Sequence, residues 1–159
     1  MKIKFPIPSP VLIFVIALGL VTSGCWSAHP HSAYRAIHQY SIDGNVDGVT
    51  TELLQHPDYV NLPEDHDLMP LHLAAQNCHS NVVVLLLVNG ATIDARADDQ
   101  ATPLHLAAQE GCADVVSVLL DHSAKINLHD NQNRTPLKRA ELWGQDDVVK
   151  LLKQRGGTE

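Results

Sequence analysis

A seven-residue phrase returns along this chain at a fixed interval, and that interval constrains the fold more than any other feature. Met69-Pro70-Leu71-His72-Leu73-Ala74-Ala75 comes back as Thr102-Pro103-Leu104-His105-Leu106-Ala107-Ala108. It comes back again, altered, as Thr135-Pro136-Leu137-Lys138-Arg139-Ala140-Glu141; the step is 33 residues both times. Three further sets keep the same step: Leu53, Leu86, Leu119 and Leu152; Val49, Val82, Val115 and Val148; Asn61, Asp94 and Asn127. A unit this short cannot bury its apolar face alone, so neighbours must stack and share one continuous core. Four units tile residues 33–159, the first and last atypical. Only 4% of the chain is aromatic, so Leu, Val, Ile and Ala must build that core.

Each unit reads as helix, tight turn, helix and extended loop. Thr102 is a good N-cap, and Pro103 takes the first helical position, where its missing N–H costs nothing. Gly111 ends the first helix as a left-handed C′ residue. Val115-Val116-Ser117-Val118-Leu119-Leu120 makes a second helix apolar on most sides, which must therefore be buried between others. Asn89-Gly90 and Asp98-Asp99-Gln100 are turn-type residues between units. The Thr-Pro-Leu-His-Leu-Ala-Ala phrase and the period of 33 resemble the ankyrin repeat family. The resemblance implies an all-α solenoid of four helix-turn-helix units, with β-turn fingers along one edge and the end units as caps. It also implies protein binding rather than catalysis.

Departures from the repeat mark its ends. The first unit reads Ala36-Ile37-His38-Gln39-Tyr40, and Asn45 stands in the register of the turn glycine. In the last unit Lys138, Arg139 and Glu141 replace His, Leu and Ala, charges that belong on an exposed capping face. Met69 stands where the capping Thr should be, at a cost of about 1 kcal/mol.

The amino terminus reads as an address. Lys2 and Lys4 precede an apolar run over residues 11–21, too short to span a bilayer, which takes about 20. Thr22-Ser23-Gly24-Cys25 resembles the lipobox of bacterial lipoproteins, with Thr22 where that family usually has Leu. The resemblance implies a signal peptide over residues 1–24, acylation (palmitate-type) of Cys25, and a membrane anchor facing the periplasm on the inner or outer membrane. Residues 25–32 then form a tether that holds the 33–159 domain roughly 25 Å from the bilayer.

Site chemistry is sparse. Ten histidines raise the question of a metal, but none forms HExxH or HxxxH, and the resemblance gives His72 and His105 a structural role. No nucleophile or phosphate-loop motif is present, so no catalytic residue, metal or cofactor is assigned. Cys78 and Cys112 lie 34 residues apart. If they sit on stacked helices, about 8–10 Å apart, they exceed the roughly 7 Å reach of a disulfide, which favours two buried thiols. An oxidising compartment favours a bridge instead.

Charge is unevenly spread. From Asp43 to Asp130 there are 14 acids against two bases, Arg96 and Lys125; from Asn131 onward six bases outnumber four acids. The net charge of −7 speaks against nucleic acid. Finger tips are expected at Asp65 and His66, Asp98 and Asp99, and Asn131 and Gln132, with Leu68 and Arg134 just behind. Gln76, Asn77, Gln109, Glu110 and Trp143 close the first helices on the same side. Trp143 stands in register with the polar Asn77 and Glu110, as a candidate anchor or a packing residue of the cap. The ankyrin resemblance implies that these residues are the contact surface for another protein; the acidic balance points to a basic patch on that partner, with the array itself expected to be a monomer. Reversing Asp98 and Asp99 is expected to weaken that complex without harming the fold. The role that fits best is an inhibitor or immunity-type protein against a secreted or toxic enzyme; the alternative is an adaptor or stabiliser of a resident envelope protein.

Overall fold

The computed structural model describes residues 31–159, with side chains from Ala36 onward. The expected signal segment 1–24, the lipidation candidate Cys25 and most of the tether lie outside the described residues. His31 and Ser32, expected in the tether, open the first helix.

Eight α-helices and no strand occur among the described residues: α1 (His31–Asp43), α2 (Val46–Gln55), α3 (Pro70–Gln76), α4 (Ser80–Val88), α5 (Pro103–Glu110), α6 (Ala113–Asp121), α7 (Pro136–Leu142) and α8 (Asp146–Gln154). They form two rows. The first helices α1, α3, α5 and α7 pack side by side in chain order, as do the second helices α2, α4, α6 and α8, and each first helix packs on its own second helix. This is the four-unit helical solenoid expected from the repeat.

The repeat explains the packing. Pro70, Pro103 and Pro136 open their helices at the first position. Ile37, Leu71, Leu104 and Leu137 make one fully buried row, and Val49, Val82, Val115 and Val148 another. Ala74, Ala75, Ala107 and Ala108 are buried without bulk and let adjacent first helices approach closely. Gly111 closes α5 in the left-handed region at φ 81°. Met69 provides no side-chain cap for α3, yet its backbone N–H is still held by His72 Nδ1 at 3.2 Å.

Three sequence expectations need correction. First, Asn45 does not take the place of the turn glycine. The left-handed residue is Gly44 (φ 70°), and Asn45 caps α2 at the position held by His79, Cys112 and Gln145 in the other units, its Oδ1 accepting the Gly48 N–H at 2.9 Å; the extra residue lies within α2, which has 10 residues where α4 has 9. The first helix of this unit is therefore displaced by one residue, and Ile37-His38 plays the part of Leu71-His72. Tyr40 falls where the other units have Ala, and Gly48 makes room for it: a Cβ there would lie 2.5 Å from the Tyr40 ring.

Second, Arg139 is not on an exposed face. Only 2% of it is accessible, and it lies inside a network of acids. The register that aligns it with Leu73 and Leu106 puts it in an interior row, and the charge is tolerated there because carboxylates surround it.

Third, Cys78 and Cys112 are bridged, with Cα atoms 5.0 Å apart. Helix spacing was the wrong measure, since neither residue lies within a helix. Cys78 occupies the left-handed turn slot (φ 60°) that is glycine in the other three units. Cys112 is the residue preceding α6 in the next unit. Turns come closer together than helix axes.

Candidate protein-binding interface

Seams between units are fastened at repeated positions. His72 Nδ1 accepts the Met69 N–H, so the ring proton is on Nε2, which donates to the carbonyls of Ala95 (3.1 Å) and Ala101 (3.3 Å). His105 does the same one unit later. Its Nδ1 accepts from the Thr102 N–H (3.1 Å) and hydroxyl (2.9 Å), and Nε2 donates to Arg134 O at 3.1 Å. His38 donates to Leu62 O at 2.8 Å. Burial pushes the pKa of His72 down and that of His105 down to about 4, because an imidazolium there would be desolvated. Both rings are neutral struts beneath the fingers, as the resemblance implies.

A second set lies at the turns between helices. His79 Nε2 donates to Ile42 O (2.8 Å) and Gln145 donates to Gln109 O (2.9 Å), while Cys112, at the matching position, bonds to Cys78. A third is the Asn61, Asp94 and Asn127 series. Each accepts a backbone N–H from the following unit, that of Thr92 (2.7 Å), Lys125 (3.0 Å) and Thr158 (2.8 Å).

On these struts stand three fingers. Their stems close through Glu64 N–H to Leu68 O (2.8 Å), Ala97 N–H to Ala101 O (3.0 Å) and Asp130 N–H to Arg134 O (3.0 Å). Neighbouring fingers are tied by Asp98 N–H to His66 O (3.0 Å) and Asn131 N–H to Asp99 O (2.9 Å). The spacing of tips seen in the sequence is thus the spacing of a hydrogen-bonded row.

Between the first two fingers and the first-helix layer lies an open cleft of about 260 Å³. It is lined by His66, Leu68, Gln76, Asp98 and Asp99, all expected contact residues, together with Ala97 and Leu106. The last two escaped the sequence reading, because Leu106 belongs to the repeated phrase and reads as core. Asp98 is exposed and lies 3.4 Å from the His66 ring.

One unit further on, the corresponding space holds Arg139. Its Nε donates to Asp130 Oδ2 (2.8 Å), Nη2 reaches Asp99 Oδ2 (2.8 Å), and Nη1 donates to Gln109 Oε1 (3.3 Å). Asp130 has a fully buried carboxylate. It also takes the backbone N–H groups of Gln132 and Arg134 (2.9 Å each) and the Arg134 guanidinium at 2.8 Å. Burial alone would raise the Asp130 pKa; the Arg134 backbone and side chain, Arg139 and Gln132 outweigh it and hold the carboxyl far below its ordinary range. Asp99 is lowered too, its partial burial outweighed by the Arg139 hydrogen bond. Four expected contact residues, Asp99, Gln109, Gln132 and Arg134, are therefore also parts of one structural network. A charge in register with two leucines is the signal in the sequence that marks it.

The remaining expected residues are not in the cleft. Asp65 lies on the first finger, and Asn77 and Glu110 are exposed at the ends of α3 and α5. Asn77 donates to Leu73 O at 2.8 Å. Trp143 and Leu142 end α7, each 60% exposed, so the indole is not buried against the cap. Among the described residues no cluster of three or more His, Cys, Asp or Glu is placed to hold a metal ion.

A family model of ankyrin repeats, in three copies, matches residues 71–159. The chain belongs to the ankyrin repeat family. The match begins at Leu71, beyond the ankyrin unit whose first helix is displaced by one residue. No curated protein matches the chain significantly. Ankyrin repeats are modules that bind other proteins, and the row of fingers with its cleft is a surface shaped for such contact.

Proposed function

We propose that this ankyrin array is anchored in the bacterial envelope and binds a protein with a basic patch through its fingers and first-helix ends, as an inhibitor or immunity-type protein against a secreted or toxic enzyme. The observation that carries the binding surface is the cleft between the first two fingers, where five expected contact residues converge beside the exposed Asp98. Complementary charge there steers encounter with a basic partner. Export is supported by the Gly24-Cys25 resemblance and by the Cys78–Cys112 bridge, since disulfides persist in oxidising compartments.

The test has two arms. In the first, cells are labelled with a fatty-acid analogue; incorporation into wild type but not Cys25→Ser supports the anchor, and equal labelling contradicts it. In the second, crosslinking in intact envelopes is followed by affinity purification and mass spectrometry. A secreted enzyme whose toxicity rises when this protein is deleted supports the inhibitor reading. A resident envelope protein that loses abundance on deletion supports the adaptor alternative.

A further inference from the structure

The two inter-finger spaces are built on the same plan but are lined differently: Arg139, Asp130 and Asp99 in one stand where the other has Leu106, Ala97 and His66, and the other instead has Asp98 at its rim. In the space between the second and third fingers, Arg139 rises from the first-helix row and fills it. In the space between the first and second fingers the same register holds Leu106, which reaches less far, and the space stays open. Gln76 corresponds to Gln109. The Gln109 carbonyl oxygen accepts from Arg139, whereas no hydrogen bond engages the Gln76 side-chain amide in the described residues.

The charges differ in the same sense. Asp99 and Asp130 are matched by Arg134 and Arg139. Asp98 is matched by neither an Arg nor a Lys among the described residues; its one ionic contact is the His66 ring. The open cleft therefore has an apolar floor of Leu68, Ala97 and Leu106, a vacant amide at Gln76 and a surplus carboxylate at the rim. That is the lining suited to a long side chain with an aliphatic stem and a cationic, planar head.

We infer that the cleft between the first two fingers is a subsite for one arginine side chain of the partner protein, the position that the protein fills with its own Arg139 one unit along. The arginine stem lies on Leu106, and the guanidinium donates to Asp98 and to the Gln76 carbonyl oxygen. A guanidinium is preferred over an ammonium because its fork can meet both acceptors at once. This rests on the reading of the finger surface as a protein-binding face.

The probe is N-acetyl-arginine amide, titrated into the full chain in non-ionic detergent with the disulfide intact. Binding is followed by backbone amide shifts, with N-acetyl-citrulline amide as the neutral isostere. Saturable shifts confined to residues around Gln76, Ala97 and Leu106 are expected, with citrulline weaker by about tenfold for the loss of a charge-assisted hydrogen bond. Asp98→Asn, which removes a carboxylate that no Arg or Lys uses, should weaken the arginine probe to the citrulline level. Leu106→Arg should fill the cleft from within and remove the probe's shifts. Equal response to both probes, an unchanged response in Asp98→Asn, or shifts elsewhere would overturn the subsite. Should a captured partner bind through the fingers and be unaffected by Asp98→Asn, the subsite fails while the binding face stands. Should no partner touch the fingers, the broader reading fails whatever the probe does.

Discussion

Arg139 and Asp130 do not depend on each other equally. Removing the Asp130 carboxylate leaves Arg139 buried with Asp99 as its only acid. Removing Arg139 leaves Asp130 with Arg134 and two backbone amides. Asp130→Asn should therefore cost about 3–5 kcal/mol, the loss expected when a buried charge is left uncompensated. Arg139→Leu, which restores the residue of the two preceding units, should cost clearly less. Urea denaturation of both variants checks the order; a larger loss for Arg139→Leu would mean the network is held from the other side. The same contacts change the outlook for Asp99: lysine there would face Arg139 and disturb the fold, so charge reversal at Asp98 alone is the clean probe of binding. The histidines add a pH dependence whose sign is fixed by burial. The unfolded His105 ring titrates near 6.5 and the folded one near 4, so between these values the unfolded chain binds more protons. Stability should be full above pH 6.5 and fall towards pH 4, by about 3 kcal/mol for His105, with His72 acting in the same direction. The lowered carboxyls of Asp99 and Asp130 lose their contribution only as pH drops further. Denaturation midpoints from pH 7.5 to 4.5 test this; a flat profile would show that the ring is not kept neutral.

At the level of the element, what the sequence made legible was periodicity, and what escaped it was local displacement. The second-helix row kept its 33-residue register from Val49 and Leu53 through Val148 and Leu152, and all of these residues are buried. The first helix of the opening unit did not, because α2 carries one residue more than the other second helices and moves the turn and everything before it by one position; His38 was thereby hidden as a counterpart of His72 and His105. The cleft was half legible. The finger tips follow from turn chemistry, but Leu106 as its floor and Arg139 as its internal counterpart depend on which side of a short helix faces the fingers. The disulfide was misjudged for a related reason: the bridge joins turn to turn, where a left-handed residue brings Cys78 towards the next unit. That bridge closes a 34-residue separation. Its removal by Cys78→Ala with Cys112→Ala should cost about 2–4 kcal/mol, chiefly by freeing the unfolded chain. Chemical denaturation with and without reductant measures it: the reductant should lower the midpoint of the wild type and leave the double variant unchanged. If the wild type is also insensitive, the thiols are not bridged.

Taken whole, the molecule is a linear array in which each unit holds its neighbours by a buried apolar row, a neutral histidine or its equivalent, and backbone bonds between fingers. Most of its acids precede the last unit, and two of those on the fingers, Asp99 and Asp130, are already neutralised by Arg139 and Arg134. The charge left to meet a partner is thus narrower than composition suggests: Asp98 at the rim of the cleft, with Asp65 and Asp67 on the first finger. Asp98→Lys should slow association, with an effect that shrinks as salt rises, since exposed charges are screened beyond about 8 Å at physiological ionic strength. Trp143→Ala should instead quicken dissociation, losing on the order of 2 kcal/mol if the exposed indole fills a pocket on the partner. Binding kinetics at two salt concentrations separate the two effects. The central claim is that the partner seats on the finger and first-helix face, and site-specific photo-crosslinking in living cells tests it most directly. A photoreactive residue at Gln76, beside the cleft, is compared with one at Val84, exposed on the second helix of the same unit. The account predicts one discrete crosslinked protein from position 76, reduced by Asp98→Lys, and none from position 84. A discrete product from position 84 with none from position 76 would contradict it.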